Sequence, residues 1–174
     1  NYIVVLATNS PATGFARELA GRMQPLTDAL PNVDGVVAVT HTEGGGRESP
    51  NNLDYVMRTL CGFVVHPNVG AVLAVDYPGG AFDNTTLERF AREHGYPLDA
   101  VPHAFMSVDD AFDNCLERAA DRVTAWLPEV SAAERTAEPL HHLKLALQCG
   151  GSDAFSGVSG NALAGWVAQH LVRH

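Results

Sequence analysis

An imidazole and a carboxylate stand two residues apart in His41-Thr42-Glu43, and three glycines follow them. Histidine and glutamate are among the side chains most used to move protons in enzymes, and both also bind divalent metals. The spacing therefore indicates a site for acid–base chemistry or for metal binding. A glycine-rich turn with solvated polar side chains has the same pattern, so the residues alone leave both interpretations open.

A second polar segment, Gly150-Gly151-Ser152-Asp153 followed by Ser156, lies toward the end of the chain. Two glycines allow close approach of the backbone to a ligand, and successive N–H groups with serine hydroxyls can cradle a carboxylate or phosphate. The segment lacks the lysine and the spacing of a P-loop, so nucleotide binding is not indicated. A turn into a helix, capped by Ser152 or Asp153, is the alternative interpretation.

Alternating strand-like and helix-like patterns must position these two segments. Apolar runs rich in β-branched residues predict five strands, at 2–7, 33–40, 70–75, 101–106 and 143–149. Amphipathic patterns predict five helices, at 12–30, 53–65, 85–94, 108–127 and 162–172. Because the strand runs are continuously apolar, we expect a doubly wound α/β fold, with a mostly parallel sheet and helices on both faces.

Local signals refine some of these boundaries. Thr85 or Thr86 suits the N-cap of the third helix, and Gly95 marks its end. The polar, proline-bounded segment 128–139 is expected to be a long surface connection. His66-Pro67-Asn68 precedes the third strand, so we interpret it as a structural turn.

Ligands in open parallel sheets bind beyond the carboxyl ends of the strands. Four predicted loops lie there, namely 8–11, 41–52, 76–84 and 150–161. His41 and Glu43 belong to the second loop and Asp153 to the fourth, and this position favours a functional role for them.

Composition restricts the class of protein and its partners. The 174 residues are 46% hydrophobic, which suits one domain with a real core, and we expect a single α/β domain over 1–174. The net charge is −9 and the eleven basic residues are scattered, which argues against nucleic acid and anionic membranes as partners. No apolar run reaches the roughly 20 residues that span a bilayer. We therefore expect a cytoplasmic protein.

The three cysteines show no CxxC spacing, so neither a disulfide framework nor a zinc knuckle is indicated. Cys61 and Cys115 fall within helix patterns and are expected to be small buried residues. Cys149 ends the last predicted strand beside two glycines, and it is a candidate for a reactive thiol.

Several segments in the same order resemble the altronate dehydratase and galactarate dehydratase family of hydro-lyases. They are Asn1-Tyr2 before the first strand, PNVDGVV at 31–37, HTEG at 41–44, HPNVGAVL at 66–73 and LQCGGSDAFSG at 147–157. The resemblance implies a fragment of a longer dehydratase-like chain. Its substrate would be a sugar acid, an aldonate or aldarate, that loses water to give a 2-keto-3-deoxy acid with a divalent metal such as iron. The rest of a longer chain, or a second copy in a homo-oligomer, would be its other partner.

The resemblance also implies roles for the residues of the two polar segments. Candidates for proton transfer or metal ligation are His41, Glu43 and Asp153. Candidates for holding the substrate are Thr42, Gly150, Gly151, Ser152 and Ser156.

This chain departs from the family pattern in its metal ligands. Family patterns carry a cysteine in the loop after each of the first three strands, whereas this chain has Ser10, Gly45 and Gly79 there. Thiolates suit iron or an iron–sulfur centre, but glycine offers no side-chain ligand and serine only a hard, weak one. We therefore expect a changed or absent metal site. There are two alternatives to a sugar-acid dehydratase. One is a non-catalytic carboxylate-binding or assembly domain, and the other is an enzyme like the sulfolactate sulfo-lyases.

Overall fold

The computed structural model describes residues 1–148 and 150–173, and the chain divides into two compact units between Glu134 and Arg135. The first unit contains the sheet, and the second contains two helices. The expectation of one domain over the whole chain stays a prediction.

A four-stranded parallel sheet forms the centre of the first unit, in the order β2-β1-β3-β4. Its strands are β1 (Tyr2–Ala7), β2 (Gly35–Val39), β3 (Val69–Asp76) and β4 (His103–Ser107). In the two central strands the side chains from Ile3 to Ala7 and from Ala71 to Asp76 are buried. Burial on both faces is what a continuously apolar strand requires.

Helices cover both faces of this sheet. They are α1 (Thr13–Met23), α2 (Leu53–Val64), α3 (Asn84–Glu93) and α4 (Phe112–Ser131). Ile3 and Val5 pack in one core with α1 and α4, whereas Val4 and Leu6 pack in the other with α2 and α3. The prediction of a parallel α/β fold with helices on both faces is confirmed.

One backbone N–H group of the edge strand β2 is hydrogen-bonded to a side chain. Val36 N–H donates to Gln24 Oε1 at 2.9 Å, and Gln24 follows directly on α1.

The predicted helix 12–30 is wrong at its C-terminal end because Pro25 cannot continue the hydrogen-bond ladder, and the chain turns there into a short 3₁₀ segment, Gln24–Thr27.

Two further boundaries differ from the sequence-based expectation. The N-cap of α3 is Asp83 rather than a threonine, since Asp83 Oδ1 accepts from Thr86 N–H and from the Thr86 hydroxyl, both at 2.8 Å. Helix α4 continues through Pro128 to Ser131, so the connection predicted from residue 128 begins later. Gly95 does end α3, with a φ of +71° that favours glycine.

The second unit contains α5 (Ala154–Val158) and α6 (Gly160–Arg173). The strand predicted at 143–149 is wrong over 143–148, because these residues pair with no strand among those described and a strand needs a hydrogen-bonded neighbour. Leu143, Leu145 and Leu147 alternate as in a strand but are each more than half exposed. Cys149 lies outside the described residues, and its predicted reactivity stays a prediction.

Cys61 and Cys115 are both buried, as the sequence predicts. Burial raises the pKa of the Cys61 thiol to about 11, which keeps this side chain in its protonated, unreactive form.

Over residues 1–148 and 150–173, none of the helices has the length and apolar character needed to cross a bilayer.

The N-cap assignment of α3 can be tested by substitution. Asp83→Ala should lower the free energy of unfolding by about 1 kcal/mol, because two donors at the helix start lose their acceptor. Thr85→Ala, at an exposed position in the same turn, is the control and should change it by less than about 0.5 kcal/mol. Urea unfolding followed by circular dichroism measures both, and a larger loss for Thr85→Ala would contradict the assignment.

Candidate functional site

The carboxyl ends of three strands are tied together by the buried side chain of Asn84, the first residue of α3. Its Oδ1 accepts from the Thr8 hydroxyl at 2.5 Å, just beyond β1. Its Nδ2 donates to Ala74 O of β3 at 3.3 Å and to Met106 O of β4 at 3.1 Å. One amide group thus fixes the relative positions of three strand ends, which is the edge where a parallel sheet binds ligands.

Asp76, the last residue of β3, is buried at the same edge. Its Oδ2 accepts from Asn84 N–H at 2.7 Å, so the carboxylate lies at the N-terminal end of α3, where the helix dipole favours negative charge. Its Oδ1 has no hydrogen-bond partner in the part of the chain that the structure describes. The strand end and the helix start are therefore joined through this carboxylate.

The loop between β3 and α3 is held by Asn9, which is fully buried. Asn9 Nδ2 donates to Tyr77 O at 3.0 Å and to Phe82 O at 3.2 Å, and its Oδ1 accepts from Tyr77 N–H at 3.2 Å. A side chain from the β1 loop therefore replaces the backbone partners that the β3 loop would otherwise lack.

The loop after β2 docks onto the other two. Ser10 N–H donates to Glu43 O at 2.8 Å, and Ala81 N–H donates to Gly44 O at 3.3 Å. Gly44 has a φ of +82°, and a Cβ there would lie 2.7 Å from the Phe82 ring. Only glycine fits both the backbone conformation and this close approach.

His41 is bound at both ring nitrogens by backbone atoms. Its Nδ1 accepts from Glu43 N–H at 3.1 Å, which places the ring proton on Nε2, and Nε2 donates to Thr8 O at 3.1 Å. The ring also stacks on Phe82, with centroids 6.2 Å apart. In this arrangement the imidazole has no free lone pair for a substrate proton or a metal ion.

The Glu43 carboxylate, in contrast, is not hydrogen-bonded by any described side chain. It borders a cleft of about 310 Å³ whose other walls are mainly apolar, with Tyr55, Val56 and Phe63 among them. A carboxylate without a protein partner in such a cleft is able to accept a proton from a bound molecule. Thr42 is exposed and borders a more polar cleft next to His41.

The positions of the three family cysteines do not supply a metal site here. A Cβ on Gly45 would lie 2.6 Å from Ser10 Oγ, so positions 10 and 45 are adjacent, while Gly79 has open space around it and a φ of +88° that strains any other residue. Within 1–148 and 150–173 no three His, Cys, Asp or Glu residues are grouped closely enough to hold a metal. A single hydroxyl is not a donor set for iron or an iron–sulfur centre.

In the second unit, Asp153 is the N-cap of α5. Its Oδ1 accepts from Ser156 N–H at 2.8 Å, and its Oδ2 accepts from the Ser156 hydroxyl. The Ser156 hydroxyl, then the Ser156 and Phe155 N–H groups, lower the pKa of this carboxyl below its usual value. Gly150, Gly151 and Ser152 are exposed.

The predicted site residues are therefore distributed over both units. His41, Thr42 and Glu43 lie in the first unit at the strand ends, and the other five, Gly150, Gly151, Ser152, Asp153 and Ser156, lie in the second. The structure gives hydrogen-bond partners for His41, Asp153 and Ser156. The roles of all eight residues in catalysis or substrate binding stay predictions.

Sequence reasoning did not single out Asn9, Asp76 or Asn84, which hold the site together. Asn9 and Asp76 carry a usable signal, because each is a polar residue at the point where a buried strand ends. Asn84 carries none, since an asparagine in a polar loop is ordinarily solvated.

Comparison with known proteins gives matches over nearly the whole chain. The family model for the second domain of D-galactarate dehydratase/altronate hydrolase matches residues 1–131, and that for the C-terminal part of D-galactarate/altronate dehydratase matches residues 140–174. Altronate dehydratase of Escherichia coli (strain K12) is 27% identical over 172 residues, covering 99% of this chain and 34% of the relative.

Altronate dehydratase of Bacillus subtilis (strain 168) is 26% identical over 176 residues, covering 99% of this chain and 33% of the relative. The chain therefore spans about a third of the length of the curated relatives it matches. No solved structure matches the chain at a significant level.

The role of Asn84 can be tested through stability. Asn84→Ala should lower the free energy of unfolding by about 2 kcal/mol, because the substitution leaves the buried Thr8 hydroxyl and two carbonyls without their partner. Asn51→Ala, at an exposed position before α2, is the matched control and should have almost no effect. Urea unfolding measures both variants, and equal losses would show that Asn84 does not hold the strand ends.

The Asp153 cap should be visible in an NMR titration. Its folded pKa lies below the 3.8 of an unperturbed carboxyl, so the stability it contributes is present above that pH. This stability is lost as the pH falls through the lower folded pKa. Ser156→Ala should move the pKa of Asp153 back toward 3.8, whereas Ser152→Ala should not, and an unchanged pKa in Ser156→Ala would contradict the cap.

Proposed function

Because this chain belongs to the D-galactarate dehydratase/altronate hydrolase family, we propose that it is part of a sugar-acid dehydratase. The reaction is removal of water from an aldonate or aldarate, such as altronate or galactarate, to give a 2-keto-3-deoxy acid. The observation that carries the proposal is the family match over residues 1–131, which includes the whole sheet and the three loops at its carboxyl edge. The match over 140–174 extends the same assignment to the second unit.

The chemistry requires a group that removes a proton. The proton next to a carboxylate is weakly acidic, so a base must be placed against it while other groups stabilise the charge that develops. Glu43 is the residue that we assign to this step, since its carboxylate borders a cleft and is bonded by no described side chain. The electron pair left on carbon then expels the hydroxyl group of the neighbouring carbon. This hydroxyl leaves as water by taking up the proton that Glu43 has removed, which returns Glu43 to its carboxylate form.

His41 acts in this proposal as a positioning residue. Its Nδ1 accepts from the N–H of Glu43 itself, and its Nε2 donates to Thr8 O. The imidazole thus fixes the backbone of Glu43, the proposed base, relative to the end of β1. From sequence spacing alone, equal roles are expected for His41 and Glu43.

No step of the proposal uses a metal. The resemblance implies a divalent metal such as iron, but Ser10, Gly45 and Gly79 do not offer the donors that such a centre needs. The substrate contacts assigned to Thr42, Gly150, Gly151, Ser152 and Ser156 rest on the resemblance. Asp153 enters the proposal as the N-cap that binds Ser156 in the second unit.

A carboxylate-binding domain without chemistry is the second candidate. Two observations favour it, namely the engagement of both His41 nitrogens and the loss of thiol ligands at Ser10, Gly45 and Gly79. Such a domain would keep the affinity for sugar acids and lose the turnover.

Turnover by the full protein that contains this chain distinguishes the two candidates. Release of 2-keto-3-deoxy product is measured with a panel of aldonates and aldarates, alongside calorimetric binding of the same acids. Glu43→Gln should lower kcat at least about 100-fold without changing the unfolding midpoint, since it removes the base but keeps the shape. Binding without turnover in the parent protein would support the second candidate instead.

Glu48→Gln is the matched control for this substitution, because Glu48 is an exposed carboxylate in the same loop. It should retain the kcat of the parent protein. Equal activity of Glu43→Gln and Glu48→Gln would remove Glu43 from the reaction.

A further inference from the structure

A second cleft, of about 530 Å³, shares Thr40 and His41 with the cleft that Glu43 borders. Each side chain that lines it carries a polar group, although the lining surface is more apolar than polar, and these side chains come from the loops after β1 and β2 and from the first turns of α1. The lining side chains are those of Ser10, Thr13, Arg17, Thr40, His41 and Thr42. A cleft with several polar side chains at the carboxyl edge of a parallel sheet is a place where a charged ligand group can be held.

Arg17 is the only one of these six side chains with a permanent charge. Its guanidinium donates through one Nη to the Thr40 hydroxyl at 3.3 Å, and it forms no ion pair with any carboxylate of the described residues. By contrast, Arg58 pairs with Asp54 at 2.7 Å and Arg92 with Glu88 at 2.8 Å. In a chain with a net charge of −9, a cation held beside a cleft without a carboxylate partner is available to an external anion.

The turn at 10–12, which precedes α1, offers no free backbone N–H group to an anion. Ser10 N–H donates to Glu43 O, Ala12 N–H donates to Asn9 O, and Pro11 has no N–H group. The recognition of an anion here depends on the Arg17 guanidinium and on the hydroxyl groups around it.

The geometry points to a carboxylate-binding site in this cleft, with Arg17 as the residue that binds the anion, and we propose it as such. The planar guanidinium offers two parallel N–H donors that match the two oxygens of a carboxylate. The Thr40 hydroxyl holds one edge of the guanidinium, and the hydroxyls of Ser10 and Thr42 offer further donors. That the carboxylate belongs to a sugar acid rests on the proposed function.

The position of the cleft fits that reaction. Because the two clefts share Thr40 and His41, an acid bound at Arg17 lies next to the cleft that Glu43 borders. Anchoring the carboxylate at Arg17 would orient the carbon chain of the acid relative to the base.

The site is tested by binding of galactarate to the full chain, measured by calorimetry. Arg17→Gln should weaken binding about tenfold or more, because a charge-assisted hydrogen-bonded pair is lost. Arg22→Gln removes the same charge from an exposed position of the same helix and should change the affinity less than about twofold. Equal losses in the two variants would overturn the site, since only a long-range effect of net charge would then remain.

Three further ligands, galactitol, inorganic phosphate and succinate, test the chemistry of the site. Galactitol, a polyol without a carboxylate, should bind weakly and equally to the parent and to Arg17→Gln. Inorganic phosphate is the second probe, and it should compete with galactarate more weakly than succinate does if the planar fork selects carboxylates. Tighter competition by phosphate would overturn the assignment to a carboxylate.

The hydrogen bond from Arg17 to the Thr40 hydroxyl gives a second, independent test of the site. Thr40→Val should weaken galactarate binding, while Thr40→Ser, which keeps the hydroxyl, should restore it. A Thr40→Val variant with the parent affinity would show that the hydroxyl does not position the guanidinium.

Measurements of binding and of product release distinguish an error in the Arg17 site from an error in the proposed dehydratase function. Arg17-dependent binding without product release from the full protein supports the site and overturns the dehydratase. Product release with the same KM in Arg17→Gln and the parent overturns the site and leaves the dehydratase standing.

Discussion

The buried amide of Asn84 is the interaction on which the arrangement of the first unit's functional edge depends. Parallel strands share a direction but not a common end, and the hydrogen bonds of a sheet do not by themselves hold the loops beyond it. Asn84 joins the Thr8 hydroxyl to carbonyls of β3 and β4, and its own N–H is held by Asp76. Asn9 and Gly44 then attach the remaining loops to this fixed edge. Apart from Asp76 Oδ1, these few buried polar groups are bonded to one another or to the backbone, and the clefts around His41 therefore have defined walls.

Much of the fold was accessible from sequence because it follows from local patterns. The apolar run of β1 gave the strand its observed limits, and the absence of alternation indicated a parallel sheet buried on both faces. The errors occurred where a local pattern met a tertiary constraint. Residues 143–148 alternate as a strand does but have no neighbouring strand among the described residues, and α4 passes through Pro128 because its apolar face continues to Val130.

The candidate site was only partly predictable, for a similar reason. The residue types and spacing of His41 and Glu43 are visible in the sequence, but their hydrogen-bond partners are not. The tautomer of His41 is set by Glu43 N–H, but the partner of Nε2 is Thr8 O, which is distant in sequence, and the ring stacks on Phe82, which belongs to a third loop. Arg17 lacks any motif and becomes informative only when the structure shows the cleft beside it. His41 has the sequence spacing of a catalytic residue, but both of its ring nitrogens are hydrogen-bonded to backbone atoms.

The strand order also affects how the chain can fold during synthesis. The first of the four strands to leave the ribosome is β1, yet it lies between β2 and β3, and β3 is complete only at Asp76. Until then one edge of an almost wholly apolar strand has no partner, and closing the loop to β3 costs chain entropy before any pairing is gained. During translation, a nascent chain that has not yet reached β3 therefore leaves one edge of β1 unpaired, and an unpaired apolar edge favours aggregation.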